Sequence, residues 1–385
     1  MRTTGGTNMD PIIGAGLASF IMYAAAKWNK NDKEKIQLTF RNIGYTVKDQ
    51  EPRLFKTHKT DAYTLYTYHV PYGLIDDDKL NVLEKVLNKP VHISFTNQKL
   101  HVKVYKNKIP VQKKYEWNKT EGWTIPIGQS YSDSVIHDFD KIPHMTIAGM
   151  TRQGKTVLLK LILSHLINNH PNDAEFYLID LKGGLEFNRY KNLKQVKNIA
   201  SDVNEAYNLL QSIKKQIRDY MRRFKQKGYT NIIDSPINQR RFIFVDEGAE
   251  LTPDRHHSKE EKIKYHYCQS VLSEIARVAG ALGYRLIFAT QYPTADTLPR
   301  QIKQNADAKI SFRLPTEVAS RVAIDEQGAE QLPHPGRAIY RTYTKNVIQV
   351  PYIRDKDIQE RLGDYFVSSS NQETTETRKN YVEFG

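Results

Sequence analysis

The sequence predicts an α/β protein with a nucleotide site at one edge of a parallel sheet. Three apolar segments, residues 144–148, 241–245 and 284–290, have strand character, and residues 203–224 repeat apolar side chains at helical spacing. Each apolar strand is followed at once by glycine or by polar residues. Because the carboxyl ends of parallel strands meet at one edge, we expect these polar groups to lie together.

The first strand leads into the pattern G-x-x-x-x-G-K-[ST], which occupies residues 149–156. A helix of apolar character follows it. Such a loop turns its backbone N–H groups towards nucleotide phosphates, and its glycines permit the tight curvature. The lysine would reach the β- and γ-phosphates, and the next hydroxyl would ligate Mg²⁺. The predicted ATP-binding residues are Gly149, Met150, Thr151, Arg152, Gln153, Gly154, Lys155 and Thr156.

The second and third strands end in groups suited to phosphate chemistry. Asp246 and Glu247 follow the second strand. Asp246 can hold Mg²⁺ through water, so it joins Thr156 as a predicted metal-site residue, while Glu247 can orient and deprotonate the attacking water. Gln291 follows the third strand and can report on the γ-phosphate. The sequence therefore predicts an ATP hydrolase with ATP and Mg²⁺ as cofactors.

Residues 277–293 resemble the segment of the FtsK/SpoIIIE DNA translocases that ends in Ala-Thr-Gln-x-Pro. Further similarity covers roughly residues 125–350, in segments 125–128, 142–148, 180–182, 302–305, 310–312, 320–325 and 328–330. The resemblance implies a RecA-like motor that assembles as a hexamer and moves along double-stranded DNA. Within the phosphate loop, Arg152 and Gln153 stand where small residues are usual in this family.

The resemblance also suggests an arginine that completes the ATP site of a neighbouring subunit. Arg277 lies at the position of the family's candidate arginine finger, and Arg321 is the rival. The preceding helix should bury a stripe, which leaves Arg277 on the exposed face. The stripe consists of Cys268, Val271, Leu272, Ile275 and Ala279. We therefore predict Arg277 as a third catalytic residue, supplied in trans.

The composition favours a polyanionic partner. Lysine and arginine exceed aspartate and glutamate by 14, and the pI is about 9.4. Nucleic acid or an anionic membrane surface would suit this charge. The single cysteine, Cys268, excludes a disulfide within the chain, and we expect its side chain to pack in the core.

Residues 11–26 form an uncharged, mostly apolar run, followed closely by several lysines. As a helix this run would span about 24 Å, less than the roughly 30 Å hydrocarbon core. The run predicts a single N-terminal membrane helix, and the charge bias places the motor at the cytoplasmic face of the cell membrane. A cleavable signal peptide and a buried amphipathic helix are the alternative interpretations.

The predicted organisation has four parts. They are a membrane anchor (1–35), a small basic α/β domain (36–126), a RecA-like FtsK/SpoIIIE motor domain (127–353) and a polar C-terminal tail (354–385). The small domain is predicted to contain a helix over 78–87 and strands over 36–40, 62–70, 91–95 and 100–105. One basic cluster could face DNA, lipid headgroups or only solvent. It comprises Lys103, Lys106, Lys108, Lys113 and Lys114.

These features together predict an ATP-driven translocase of double-stranded DNA. A membrane anchor would direct it to plasmid or conjugative-element transfer, with a relaxase or another transfer-apparatus protein as a further partner. Two alternatives remain open: a viral genome-packaging ATPase, and an ATP-regulated DNA-docking scaffold that does not translocate. The acid Glu247 weighs against the scaffold, because docking needs no group that activates water.

Overall fold

The computed structural model describes residues 30–74 and 78–367. The chain divides into two units between Lys108 and Ile109. The apolar run over residues 11–26 and the end of the predicted polar tail lie outside the described residues.

The first unit packs two helices on one face of an antiparallel sheet. Its sheet has the order β1-β2-β4-β3, and the turn between β3 and β4 is formed by Asn97 and Gln98, both with positive φ. A two-residue turn of this conformation matches the twist of the strands it joins. The elements are α1 (Asp32–Asn42), β1 (Arg53–Lys59), β2 (Tyr63–His69), α2 (Val82–Leu87), β3 (Val91–Thr96) and β4 (Lys99–Tyr105).

The predicted strand over residues 36–40 is wrong, because this segment lies inside helix α1. The side chain of Asn31 caps the helix by accepting a hydrogen bond from the backbone N–H of Glu34. Ile36 and Phe40 are four residues apart and are both fully buried. Thr39 is buried with them, whereas Leu38 is only partly buried. A strand would bury Leu38 on the same face, so burial at positions i, i+3 and i+4 indicates a helix packed against the sheet.

The second unit is built on a ten-stranded sheet in the described part of the chain. Its order is β6-β5-β14-β13-β12-β7-β11-β10-β8-β9, in which the six strands from β12 to β9 run parallel. The strands are β5 (Thr124–Gln129), β6 (Ser134–Asp138), β7 (Met145–Ala148), β8 (Ala174–Ile179), β9 (Val196–Ala200), β10 (Arg240–Val245), β11 (Tyr284–Thr290), β12 (Ala308–Ser311), β13 (Arg337–Arg341) and β14 (Lys345–Gln349).

Helices cover both faces of this sheet. Along β10, Phe242 and Phe244 pack into the core that contains the helix over residues 155–169, whereas Ile243 and Val245 pack into the core that contains the helices over residues 203–227 and 259–274. This alternation follows the two-residue period of a strand and confirms the predicted α/β class with a large parallel sheet. The helices are α3 (Lys155–Asn169), α4 (Val203–Lys227), α5 (Lys259–Glu274), α6 (Arg300–Asn305), α7 (Glu317–Ile324) and α8 (Asp355–Leu362).

Both ends of the second unit differ from the boundaries suggested by composition. Tyr115 and Trp123 belong to its main core, so the unit begins before residue 127. At the other end, Ile358 and Leu362 of α8 are fully buried in the same core. Asp355 on α8 also contacts Lys160 of α3 at 3.1 Å. The polar composition after residue 353 therefore conceals a packed helix with few but well-placed apolar residues.

None of the described helices is both long enough and apolar enough to cross a membrane. The predicted location at a membrane through a single N-terminal helix is corrected accordingly. The run that suggested it, residues 11–26, lies outside the described residues.

Candidate active site

The phosphate loop connects β7 to α3 and is hydrogen-bonded to the strands on both sides of β7. The N–H of Gly149 donates to the carbonyl of Thr290, at the end of β11, at 3.2 Å. The N–H of Met150 donates to the carbonyl of Arg313, just beyond β12, at 3.1 Å. The sheet therefore holds the start of the loop, as expected for a turn at the carboxyl edge of a parallel sheet.

Both glycines of the loop pattern are required by their surroundings. A Cβ added to Gly149 would lie 2.7 Å from the Cβ of Phe312, and one added to Gly154 would lie 2.9 Å from Cε1 of the same ring. Gly154 also has φ of 121°, which side-chain-bearing residues rarely adopt. Arg152, one of the two departures from the family pattern, has a positive φ of 63° without being glycine.

Lys155 joins the loop to the acids at the end of β10. Its ammonium donates to the carbonyl oxygen of Asp246 at 2.7 Å and to Oε2 of Glu247 at 3.1 Å. The Asp246 carboxylate lies 3.5 Å away. Only 5% of the lysine side chain is exposed. A charge at this depth needs paired acids, so the fold brings together groups that are about ninety residues apart in sequence.

Four donors surround the carboxylate of Glu247. Oε1 accepts from the Thr290 hydroxyl at 3.1 Å and from the Gln291 N–H at 2.9 Å. Oε2 contacts the ammonium groups of Lys155 and Lys182, each at 3.1 Å. Burial acts to raise the pKa of Glu247, but Lys155, the Gln291 N–H and Lys182 outweigh it and lower this pKa. The acid is therefore held as the carboxylate, the form that can accept a proton.

Asp246 has a different environment and suits a metal site. Burial, assisted by the charges of Asp180 and Glu247 and opposed by the lysines, raises the pKa of Asp246. Its Oδ1 atom is buried and makes no hydrogen bond within the described residues, where its charged neighbour is the Lys155 ammonium at 3.5 Å. An unsatisfied carboxylate oxygen is costly unless a cation or water completes it. Together with Thr156 on the same cavity, this oxygen fits Mg²⁺, which takes few protein ligands when phosphates supply the others.

Lys155, Thr156, Lys182 and Asp246 line a cavity of about 1030 Å³. The phosphate loop forms one wall, and residues 111–114 and 350–352 contribute others. The N–H of Tyr352 donates to the carbonyl of Lys113 at 2.7 Å, which ties these two segments together. Lys113 and Lys114 thus face the cavity, whereas Lys103 lies on β4 of the first unit. The basic cluster suggested by the sequence is split between two units.

Gln291 lies between the loop and the acid. Its Oε1 accepts a hydrogen bond from the Thr151 hydroxyl at 3.1 Å, while its N–H holds Glu247. Gln291 and Thr151 both line the cavity. Gln291 therefore contacts both Thr151 of the phosphate loop and the acid Glu247. Both contacts would change when a γ-phosphate binds or leaves.

Sequence reasoning missed Lys182 as a member of the site. The loop that carries it is organised by the buried carboxylate of Asp180, which accepts hydrogen bonds from the N–H groups of Glu186 and Phe187 at 3.0 and 3.1 Å. Gly183 and Gly184 both have positive φ and permit the tight turn. The run Asp-Leu-Lys-Gly-Gly directly after a buried strand was the available signal.

The two candidate arginines lie elsewhere. The described residues that line the cavity include neither Arg277 nor Arg321. Arg277 is exposed on a π-helical turn, Ile275–Ala279, that continues α5, and the five apolar residues of the predicted stripe are buried. Arg321 pairs with Glu317 on α7 at 2.7 Å. Either side chain would have to reach an ATP site on another copy of the chain.

Comparison with known proteins agrees with this geometry. Residues 110–241 match the model of the FtsK/SpoIIIE family. This chain contains an FtsK/SpoIIIE domain. The FtsK/SpoIIIE domain is a P-loop ATPase, so the predicted resemblance and enzyme class are confirmed.

Individual relatives place this domain within longer proteins. DNA translocase FtsK of Chlorobaculum tepidum is 30% identical over 257 residues, which is 61% of this chain and 31% of that protein. DNA translocase SpoIIIE of Bacillus subtilis is 27% identical over 285 residues, covering 66% of this chain and 35% of that protein. The chain thus spans about a third of the length of these relatives.

A solved structure shares the fold over most of this chain. The pCW3 conjugation coupling protein TcpA, in a monomer form with ATPγS, superposes with a TM-score of 0.64 and 22% identity. The match covers 87% of this chain and 99% of that one. At this level of identity the likeness concerns the fold.

Proposed function

We propose that this protein is an ATP-driven motor that moves double-stranded DNA in plasmid or conjugative-element transfer. The observation that carries the proposal is the contact of Lys155, a residue that lines the cavity, with both Asp246 and Glu247. A docking protein could bind ATP with the phosphate loop alone. The ionised carboxylate of Glu247, which has four polar contacts and lies beside that loop, favours hydrolysis.

The hydrolytic step needs four roles, for which this chain has candidates. Thr156 and Asp246 would hold Mg²⁺, which supplies positive charge to the phosphates when it is bound. Lys155 would exchange its contacts with the acids for phosphate oxygens. Glu247 would take a proton from the water that attacks the γ-phosphorus, as the bond to the bridging oxygen breaks and ADP and phosphate form. Gln291 would link the γ-phosphate position to Glu247 through Thr151.

Subunit cooperation is the next part of the proposal. We assign Arg277 as a finger that acts on the neighbouring subunit's ATP in a hexameric ring. Arg277 is exposed and is not among the described residues that line the cavity of its own chain, and both facts support an action in trans. A guanidinium there would stabilise the charge of the transferring phosphate and make hydrolysis depend on assembly.

DNA is the proposed cargo, for two reasons. The chain carries a net charge of +14, which suits a polyanion. The relatives named above are DNA translocases. The match to the TcpA coupling protein supports the transfer role. This match covers 87% of the chain, so it extends beyond the second unit into the first. A relaxase or another transfer-apparatus protein would be the expected loading partner.

The test is displacement of a third DNA strand from a duplex by the full-length protein. We expect ATP turnover that duplex DNA stimulates strongly, and triplex displacement that requires hydrolysis. Turnover without DNA stimulation or displacement would contradict the motor and favour the docking scaffold. The genes that neighbour this one would separate conjugative transfer from genome packaging.

A further inference from the structure

Within the described residues of the first unit, helices pack on one face of its sheet. Helices α1 and α2 pack on this face, where Phe40, Tyr68, Leu83, Leu100 and Val102 form part of the core. Burial alternates along β4, so Leu100, Val102 and Val104 are buried and the residues between them are not. A strand turns successive side chains to opposite faces. Lys99 and Lys103 therefore lie on the face opposite the helices, here called the open face.

Strand pairing assigns the other members of the open face. In register with β4, His69 lies opposite Lys99 and Leu65 opposite Lys103. On β1, Arg53 pairs with His69 and Lys56 with Thr67, which places both on the same face. A bulge between Leu54 and Lys56 turns Phe55 to this face as well, where its ring contacts that of His69 at 4.5 Å.

The charged side chains that the strands contribute to the open face are basic, and one acid outside the strands, Glu51, interacts electrostatically with Arg53. Strands β1 to β4 contain neither aspartate nor glutamate. Within the described residues, no carboxylate forms an ion pair with any of the four cations on this face, which are Arg53, Lys56, Lys99 and Lys103. Cations on a solvated protein surface are usually interspersed with acids. Four cations without an acid between them form a surface complementary to a polyanion.

Aromatic rings lie beside these cations. The Lys99 ammonium is 4.4 Å from the centroid of the Phe55 ring, and the Lys103 ammonium is 4.6 Å from that of Tyr63. Phe55 is 54% exposed, although large apolar side chains are normally covered. Lys99 and Lys103 are four residues apart on one strand, a separation of about 13 Å. The open face thus presents two pairs, each of one ring and one cation.

We propose that the open face binds single-stranded DNA. The cations would contact successive phosphates, and the rings of Phe55 and Tyr63 would stack on bases. Bases inside a duplex are already stacked on their neighbours, so exposed rings add affinity only for unpaired strands. A lipid surface would use the lysines but not rings on a flat sheet face. This site lies outside the motor's ATP cavity, and the proposal does not rest on the proposed movement of duplex DNA.

The first experiment measures binding of a labelled oligothymidylate and of a blunt duplex of equal length to the full-length protein without nucleotide. We expect tighter binding of the single strand. Lys99→Glu with Lys103→Glu should weaken it at least about tenfold, because phosphate contacts are lost and repulsion is gained. The matched control is Lys33→Glu with Lys85→Glu, which makes the same charge change at exposed positions on α1 and α2. The control pair should stay within about twofold of wild type.

The second experiment separates stacking from charge. Phe55→Ala should weaken oligothymidylate binding about fivefold or more, while binding of dextran sulfate, a polyanion without bases, stays unchanged. Because Phe55 is exposed, folding should not suffer, and thermal unfolding checks this. Phe55→Trp should keep the affinity and add fluorescence that the bound strand quenches. An unquenched tryptophan, or equal losses for both polyanions, would overturn the stacking assignment.

Other outcomes identify what would replace the proposal. If the double Lys→Glu variant loses duplex binding as much as single-strand binding, the open face is an unselective polyanion surface. If it instead loses binding to phosphatidylserine vesicles alone, the face contacts lipid. If light scattering shows a change of oligomeric state while oligonucleotide binding is retained, the face is an interface between copies. Each of these results overturns the single-strand site without affecting the ATPase assignment.

Discussion

At the scale of single residues, Glu247 shows how the site separates binding from hydrolysis. Each of its two carboxylate oxygens has two contacts within the described residues, from Thr290 and Gln291 on one side and from Lys155 and Lys182 on the other. Lys155 is the group expected to leave for the phosphates. Lys182 then keeps a positive charge beside the acid while ATP is bound.

Substitution of Lys155 and of Glu247 should have different consequences. Lys155→Ala should abolish ATP binding, because the lysine supplies charge to the phosphates in the ground state. Glu247→Gln should leave binding nearly intact and stop turnover, because the acid acts on the attacking water. Binding of a fluorescent ATP analogue and phosphate release measure the two effects. Turnover of Glu247→Gln within about tenfold of wild type would contradict the base assignment.

Lys182 should affect turnover more than binding. Lys182→Ala should lower kcat by about tenfold to a hundredfold, the usual effect of removing a partner that orients a functional group. KM for ATP should change little, since Lys155 and the phosphate loop are intact. Lys182→Arg should recover part of kcat by keeping a cation near Oε2. A raised KM with normal kcat would show instead that Lys182 binds the nucleotide.

At the scale of secondary-structure elements, one carboxylate joins the start of the motor sheet to its centre. Asp140, in the connection between β6 and β7, accepts from Arg240 at the start of β10 at 2.8 and 3.0 Å. It also accepts from Arg285 of β11 at 2.7 Å. Arg285 is almost completely buried, so its charge depends on this partner. The three strands β7, β10 and β11 are those whose carboxyl ends form the ATP site.

Asp140→Asn should therefore destabilise the motor unit. Removal of one partner of a buried ion pair costs about 3 kcal/mol or more, measured as a shift in urea unfolding. Burial acts to raise the pKa of Asp140, but Arg240 and Arg285 outweigh burial and lower this pKa in the folded state. Its contribution is thus fully present above the ordinary aspartate pKa and is lost as the pH falls through the lowered value.

The stability gap between wild type and Asp140→Asn should consequently be constant near neutral pH and shrink in acid. Asp133→Asn, at an exposed position in the same region, is the matched control and should change stability by less than about 0.5 kcal/mol. A gap that stays the same down to acid pH would mean that Asp140 does not act through its charge.

At the scale of the whole molecule, the arginines that line the described part of the ATP cavity are Arg152 and Arg354, and neither is our candidate for the transferring phosphate. Arg354 pairs with Asp357, and Arg152 belongs to the phosphate loop itself. The proposed finger, Arg277, is exposed on a different part of the fold. A ring of identical chains would bring it to the neighbouring site.

Mixing variants tests that arrangement. Arg277→Ala should bind ATP normally and lose most turnover, because transition-state charge is left without its guanidinium. Mixtures with Glu247→Gln should recover some activity, since mixed rings contain interfaces with both groups intact. Phosphate release measures the recovery, and Arg321→Ala is the control at the rival position. Normal turnover by Arg277→Ala would exclude it, and no recovery in rings shown to be mixed would contradict action in trans.

Much of the site could be predicted from sequence because its signals are local. The loop over 149–156 needs two glycines, a lysine and a hydroxyl at fixed spacing, and the strand before it ends where the pattern begins. Asp246 and Glu247 directly follow a buried strand, so the direction of the parallel sheet is enough to bring them to the same edge.

Tertiary packing decided the remainder. Residues 36–40 alternate apolar and polar side chains in a way compatible with a strand, and only the burial of Thr39 together with Ile36 and Phe40 indicates a helix. The sequence groups Lys113 and Lys114 with Lys103, yet the backbone hydrogen bond between Tyr352 and Lys113 places them at the ATP cavity. Lys182 meets Glu247 because Asp180 folds the intervening loop.

The sequence by itself therefore determined the chemistry of the phosphate site, and the tertiary structure decided which charged groups surround it. The physical reason is the separation along the sequence of the groups that must interact. A phosphate loop is specified by backbone conformation over eight neighbouring residues, whereas the contact between Lys182 and Glu247 depends on how two loops at the edge of a packed sheet are held. Charge alone does not specify such a contact, because a lysine can pair with any acid that the fold brings within reach.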